Sequence, residues 1–285
     1  MIFEFKDCGY YNKEFVGGKN ASLGELYRLS KKLNFNIADG FAITTKLYME
    51  FIKNNNINNQ IKLIIDNTDC DDIEDLNKSS SKIKMLFNSC VFSKNQSDMI
   101  LTYYDKLIKK YNTNIQVAVR SSAVCEDLPT ASFAGQQDTY LNVSREQLLD
   151  KIKDCFASLF NSRAISYRKT NNISFKDVNI SVGIQKMVRS DMGSAGVSFS
   201  IDPETGYNKA IVTNSAFGLG ELVVSGGVKP DEFIIDKRIL SFKEKDPILN
   251  KQLGEKLTKI IYSENGIKEI DCGKIEKKTF SLTNL

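Results

Sequence analysis

Four short segments of this sequence carry residue types suited to a phosphorylated ligand. In the first, Gly17 and Gly18 precede Lys19 where a helix-forming run opens. Glycines let backbone approach a ligand closely, and the amides and dipole of a helix start favour an anion beside a lysine. The spacing is not that of a G-x-x-x-x-G-K-[ST] loop. Read alone, the segment is also a tight turn into a helix with a solvated lysine. In the second, an apolar strand through Val119 delivers Arg120, followed by small residues from Thr130 to Gly135 and a second strand near Thr139. Small side chains expose N–H groups that can cradle phosphate oxygens, and a guanidinium adds a planar, two-pronged donor. The alternative is a wide hairpin loop in which Arg120 pairs with Glu126 or Asp127.

The third segment is Ile184, Gln185, Lys186, Met187 and Val188. A strand ending this way can offer backbone N–H and C=O groups to the edge of an adenine and set methionine against its face; it is also an ordinary strand end. The fourth holds Gly218, Gly220, Gly226 and Gly227. Glu221 within it is a candidate for a ribose hydroxyl or for a lysine, with a surface turn as the other reading.

The elements that must position these segments follow from periodicity. Leu23, Leu26 and Leu33 recur at helical spacing after Asn20 and Ser22. Thr45 is placed to cap a helix carrying Leu47, Phe51 and Ile52. Residues 53–97 read as helices joined by polar loops, followed by a helix through Met99 and Leu107. Residues 115–119 form a strand, and Leu148, Ile152, Phe156 and Phe160 mark one apolar helix face. Val178, Ile180, Val182 and Ile184 alternate with polar or small residues, the period of a half-buried strand. Further strands are expected at 195–201, 210–213 and 232–236, with a turn at 202–206. The predicted class is α+β: a helix-rich lobe over 1–175 leading into a mostly antiparallel, sheet-rich lobe over 176–285.

Composition narrows the function. The chain has 285 residues, 41% hydrophobic, and a net charge of +4 spread along its length. That balance gives no argument for nucleic acid, and no apolar run approaches the roughly 20 residues of a membrane helix. The acidic start, without an apolar h-region, is unlike a signal peptide. The six cysteines are scattered with no C-x-x-C pair, as expected of reduced thiols in a cytoplasm. There is no histidine, so no histidine base, imidazole ligand or phosphohistidine resides in these residues.

Taken together, the segments resemble the N-terminal nucleotide-binding domain of the phosphoenolpyruvate synthase (pyruvate, water dikinase) family, shared with pyruvate, phosphate dikinase and rifampicin phosphotransferase. The resemblance runs from Val16 to the Phe280–Asn284 end. Its most specific strings are Arg120 through Pro129, Ala131 through Gln137, Gly218 through Val224, and Pro230 through Phe233. The last of these and the 280–284 ending favour the synthase over the antibiotic-modifying branch. What the resemblance implies is an ATP-grasp fold with ATP held between two α+β lobes over the single domain 1–285. It implies Lys19 and Arg120 on the ATP phosphates as the catalytic cations, Gly135 over them, and Thr139 lining the same site. Gln185, Met187 and Val188 would meet the adenine, with Glu221 a looser ribose or lysine partner. The implied reaction converts ATP, pyruvate and water to AMP, phosphoenolpyruvate and phosphate through a phosphohistidine on a swivelling domain.

The departures from that family are equally specific. The acceptor histidine is missing, and the pattern of the family's Mg²⁺-binding strands does not occur before Leu285. The metal ligands are therefore expected beyond residue 285, and no metal ligand is assigned here. The sequence reads as a truncated or split gene product that ends inside the ATP-grasp domain, is inactive alone, and meets pyruvate only through missing domains or a companion chain. Two other readings stay open: a fragment of a rifampicin-type phosphotransferase, and a non-catalytic nucleotide-binding or regulatory module.

Overall fold

Branched apolar residues alternating with small ones build the sheet that carries the first three segments. The computed structural model describes residues 1–112, 115–124, 127–128, 131–132, 138–171, 173–174, 178–242, 244–263 and 266–283. They form two units, Met1–Met187 and Val188–Leu285. In the first unit the order is β1 (Ile2–Glu4), α1 (Lys13–Leu33), β2 (Gly40–Ile43), α2 (Thr45–Asn54), α3 (Asn58–Asp66), α4 (Ile73–Ser89) and α5 (Lys94–Tyr111). Then come β3 (Val117–Ala123), β4 (Asp127–Leu128), β5 (Ala131–Ser132), β6 (Thr139–Val143), α6 (Leu148–Ala157), α7 (Ser162–Thr170) and β7 (Ile180–Lys186). The class is α+β.

The main sheet runs β1-β2-β7-β3-β6, with every neighbouring pair antiparallel. One face carries Phe41, Ile43, Val117, Val119, Ile180, Val182 and Ile184, all buried in the main core with Leu47, Phe51, Ile152 and Phe156. Burying each such side chain contributes roughly 1.5–3 kcal/mol. The ring of Phe51 lies 4.6 Å from that of Phe92 and 5.5 Å from that of Phe156, centre to centre, within the range of favourable aromatic pairs. The α6 face read from the sequence is the one that packs here.

Three expectations are corrected. The alternation in β7 predicts one face turned to water, yet Ser181 is fully buried and Gly183 is buried too. Its small residues face α1, and a Cβ at Gly183 would lie 2.3 Å from Asn20 Oδ1. Small side chains there signal a closely packed helix. Second, the N-cap of α2 is Thr44, not Thr45. The Thr45 hydroxyl donates to Glu14 O at 3.3 Å, and Thr44 Oγ1 to Met1 O at 2.9 Å. Third, the division between units falls after Met187 and not near 175, because β7 is the central strand of the first sheet.

The second unit contains β8 (Ser194–Phe199), β9 (Ala210–Phe217), α8 (Glu221–Ser225), β10 (Asp231–Asp236), β11 (Ile248–Gln252), β12 (Thr258–Ser263) and β13 (Gly266–Asp271). A four-stranded antiparallel sheet runs β11-β10-β9-β8, and β12 pairs with β13. Asp231 is the hub of this unit. Its carboxylate pairs with fully buried Lys256 and accepts from Gly254 N at 2.8 Å, Ser281 N at 2.6 Å and Ser281 Oγ at 2.7 Å. Burial works against its ionisation, but Lys256 and these donors outweigh it and hold the carboxyl below its ordinary range. The neighbouring aromatic residues of the two strings also meet, Phe233 and Phe280 lying 5.5 Å apart.

Candidate functional site

The site is assembled where α1 crosses β3 and β7. On β3, Ala118, Arg120 and Ser122 lie opposite Gln185, Gly183 and Ser181 of β7, so all share the face toward α1. Thr139 on β6 stands directly across from Arg120 on the other side and is exposed. This register puts the Arg120 guanidinium and the Thr139 hydroxyl in one row across β3 and β6, with the Gln185 amide two residues along on the same face of β7.

Gly17 makes its close approach within the protein. Gly17 has φ +74° and breaks α1 after its first turn. A Cβ there would lie 2.1 Å from Ser122 O. The close approach is therefore made to β3. It lets Asn20 N donate to Ser122 Oγ at 3.3 Å, while Ser122 Oγ donates to Val16 O at 3.1 Å. The Asn20 side chain donates to Val16 O at 2.9 Å and Ser181 Oγ at 3.1 Å. With α1 fixed in this way, Lys19 Nζ reaches Ser121 O at 3.4 Å, beside Arg120.

Lys19, Arg120 and Gln185 line one small cleft with Phe5, Asn20, Leu23 and Gly183. Its volume is only about 10 Å³, so it is a point of convergence and not a chamber for a whole nucleotide. A cavity of about 470 Å³ lies elsewhere in the first unit, against Tyr48, Ile52, Ile61, Phe160 and Val178. None of the three cleft residues lines it. We place the site at the cleft because that is where cationic side chains meet.

Gln185 links two parts of the site. Its Oε1 accepts from Arg120 Nη1 at 3.4 Å and its Nε2 donates to Ala38 O at 3.1 Å. The next two residues extend β7: Lys186 N donates to Asp39 O at 2.8 Å and Met187 N to Gln116 O at 3.0 Å. Those two N–H groups thus have protein acceptors, which leaves this stretch fewer donors than the sequence suggested. Met187 is half-buried, and Val188, the first residue of the second unit, is exposed with its carbonyl accepting from Tyr262 at 2.8 Å. Glu221 is exposed at the first position of α8 in the second unit. Gly135 and Glu126 lie outside the described residues, as does the side chain of Asp127.

Sequence reasoning missed Asn20 as the post that holds Lys19 in place. The available signal was the pair of serines, Ser122 and Ser181, at equivalent places in two apolar strands. It also missed Asp39, beside the end of β7. Among the described residues no group of three or more Asp, Glu, Cys or His side chains converges, and no helix is long and apolar enough to cross a membrane.

Comparison with known proteins bears on what such a cleft handles. The family model for the pyruvate phosphate dikinase AMP/ATP-binding domain matches residues 13–284. A phosphoenolpyruvate synthase of Aquifex aeolicus is 45% identical over 273 residues, covering 94% of this chain and 32% of its own length. That of Helicobacter pylori is 44% identical over 286 residues, covering 98% and 35%. That of Escherichia coli is 39% identical over 290 residues, covering 100% and 36%. The chain spans about a third of the length of these curated relatives.

Proposed function

This chain belongs to the pyruvate phosphate dikinase AMP/ATP-binding domain family, and on that premise we propose that it is the ATP-binding part of a phosphoenolpyruvate synthase, built as an ATP-grasp. Lys19 and Arg120 hold the ATP phosphates. Thr139 and the small-residue loop that includes Gly135 line the same place. Gln185, Met187 and Val188 meet the adenine, and Glu221 a ribose hydroxyl or a lysine. The observation that carries this reading is the meeting of Lys19, Arg120 and Gln185 in one cleft, reached from helix and strands far apart in sequence.

The chemistry follows from charge. When a diphosphate leaves AMP, negative charge builds on bridging and terminal oxygens. Two fixed cations facing that charge stabilise it more than they stabilise bound ATP. These residues contain no histidine, so the phosphohistidine this reaction requires is not among them. The described residues offer no acidic cluster that fits Mg²⁺.

Titration calorimetry with ATP, with and without Mg²⁺, tests the proposal. Arg120→Ala should weaken binding by about 10- to 100-fold, since a charge-assisted contact to phosphate is lost. Lys186→Ala should have a smaller effect. Equal effects would remove Arg120 from the phosphates. Pyruvate-dependent AMP formation by the isolated 285 residues would refute the need for a separate histidine.

A further inference from the structure

Beside the cleft, the turn before β2 makes four links with the end of β7 and of α5. Ala38 O accepts from Gln185 Nε2 at 3.1 Å, and Asp39 O from Lys186 N at 2.8 Å. The Asp39 carboxylate accepts from Tyr111 Oη at 2.5 Å and pairs with Lys110 Nζ at 2.5 Å. Lys186 Nζ in turn sits 4.7 Å from the centre of the Tyr111 ring, within cation–π range. The next residue, Gly40, admits no side chain: a Cβ would lie 2.1 Å from Ile184 O. The turn is thus pressed against β7 and held there by a largely buried carboxylate.

That carboxylate is charged where charge is costly. Burial raises its pKa, and Lys110 and Tyr111 outweigh burial, so the group ends below its ordinary range. The tyrosine responds in the opposite direction, pushed up to about 12 by burial and by Asp39. A surface pair between exposed groups contributes little, but here the carboxylate fixes a tyrosine that also stacks against Lys186. Each link ends on Gln185, Lys186 or the residues that hold them.

We propose that Asp39, through Tyr111 and Lys110, is a positioning residue for the base half of the nucleotide site: it sets Gln185 to Met187 where an adenine is read, and has no part in holding phosphate. This rests on the nucleotide reading above. The carboxylate acts through the strand end, so its loss should be felt by ligands that carry a base and not by the phosphate chain alone.

The test compares ATP with inorganic tripolyphosphate by titration calorimetry on the 285-residue chain and its variants. Asp39→Asn should weaken ATP by about tenfold, the scale of one charged hydrogen bond, and leave tripolyphosphate within about twofold. Arg120→Ala should weaken both. Tyr111→Phe removes a single hydroxyl and should follow Asp39→Asn with a smaller loss, and it carries the comparison alone should Asp39→Asn not fold. Equal loss of both ligands in these variants, or loss of neither, overturns the role of Asp39 while leaving the nucleotide site standing. No ATP binding by the unaltered chain overturns the nucleotide reading and this inference with it.

Discussion

Replacing Gly17 with alanine should lower the stability of the first unit and loosen Lys19 together. Two separate effects act at that position. The φ of +74° costs an L-residue roughly 1–2 kcal/mol. The new Cβ would also lie 2.1 Å from Ser122 O and 2.7 Å from its carbonyl carbon, and backbone cannot rotate aside as a side chain can. Relieving such crowding typically costs about 1–3 kcal/mol. The sum is about 2–5 kcal/mol, a large part of the stability of an ordinary domain. Gly206 and Gly226 provide controls, since each has a similar positive φ, +72° and +73°, and a Cβ at either would meet nothing within 4 Å. Alanine there should show the backbone penalty alone. Urea unfolding followed by far-UV circular dichroism suits a chain without tryptophan. Hydrogen exchange at the α1 and β3 amides would assign the loss to the first unit. Lifting α1 also breaks the bonds from Asn20 N to Ser122 and from Ser122 to Val16, so ATP affinity should fall as well. If Gly17→Ala costs no more than Gly206→Ala, α1 does not depend on that contact and Lys19 is not placed by it.

Other outcomes follow from buried polar groups. Asn20→Ala should destabilise by about 1–3 kcal/mol, because Ser181 loses the amide that donates to it in a buried place; chemical denaturation reads this directly. Asp231→Ala should cost about 3–5 kcal/mol by leaving Lys256 buried without its carboxylate. Since the folded-state pKa of Asp231 is lowered, its stabilising contribution is complete above the unfolded value of about 4 and is lost as pH falls further. Stability measured from pH 6 down to pH 2 should therefore drop less in Asp231→Asn than in the unaltered chain. Burial raises the thiol of Cys8 to about 12 and that of Cys155 well above its usual value. Both should resist thiol reagents at pH 8 until the chain unfolds, and rapid labelling of either in folded protein would contradict the packing.

Much of the fold was legible because apolar periodicity reports burial directly. Leu148, Ile152 and Phe156 named their helix, and the turn at Asp202 and the strand carrying Arg120 stood out, although that strand runs on to Ala123 and does not end at the arginine. Ser181 and Gly183 misled for a physical reason: a small residue facing a helix and a small residue facing water look alike in sequence. Gly17 is a point of close approach, yet sequence does not say what approaches. Here it is β3. The lysine and arginine of the cleft were found from their neighbours in the chain and from family resemblance. Asn20 and Asp39 were not, because both act through partners more than 70 residues away: Ser181 for the one, Tyr111 and Lys186 for the other.

The bonds around Asp231 have a consequence for how the second unit melts. A two-strand ribbon such as β12 with β13 is marginal in water by itself. One carboxylate collects donors from 254, 256 and 281, so separate stretches of chain share a single anchorage. Loosening Lys256 strands the buried carboxylate, and loosening Gly254 or Ser281 removes one of its donors. Such sharing turns what could have been a series of independent frayings into one concerted event, with a single sharp thermal transition for residues 188–285.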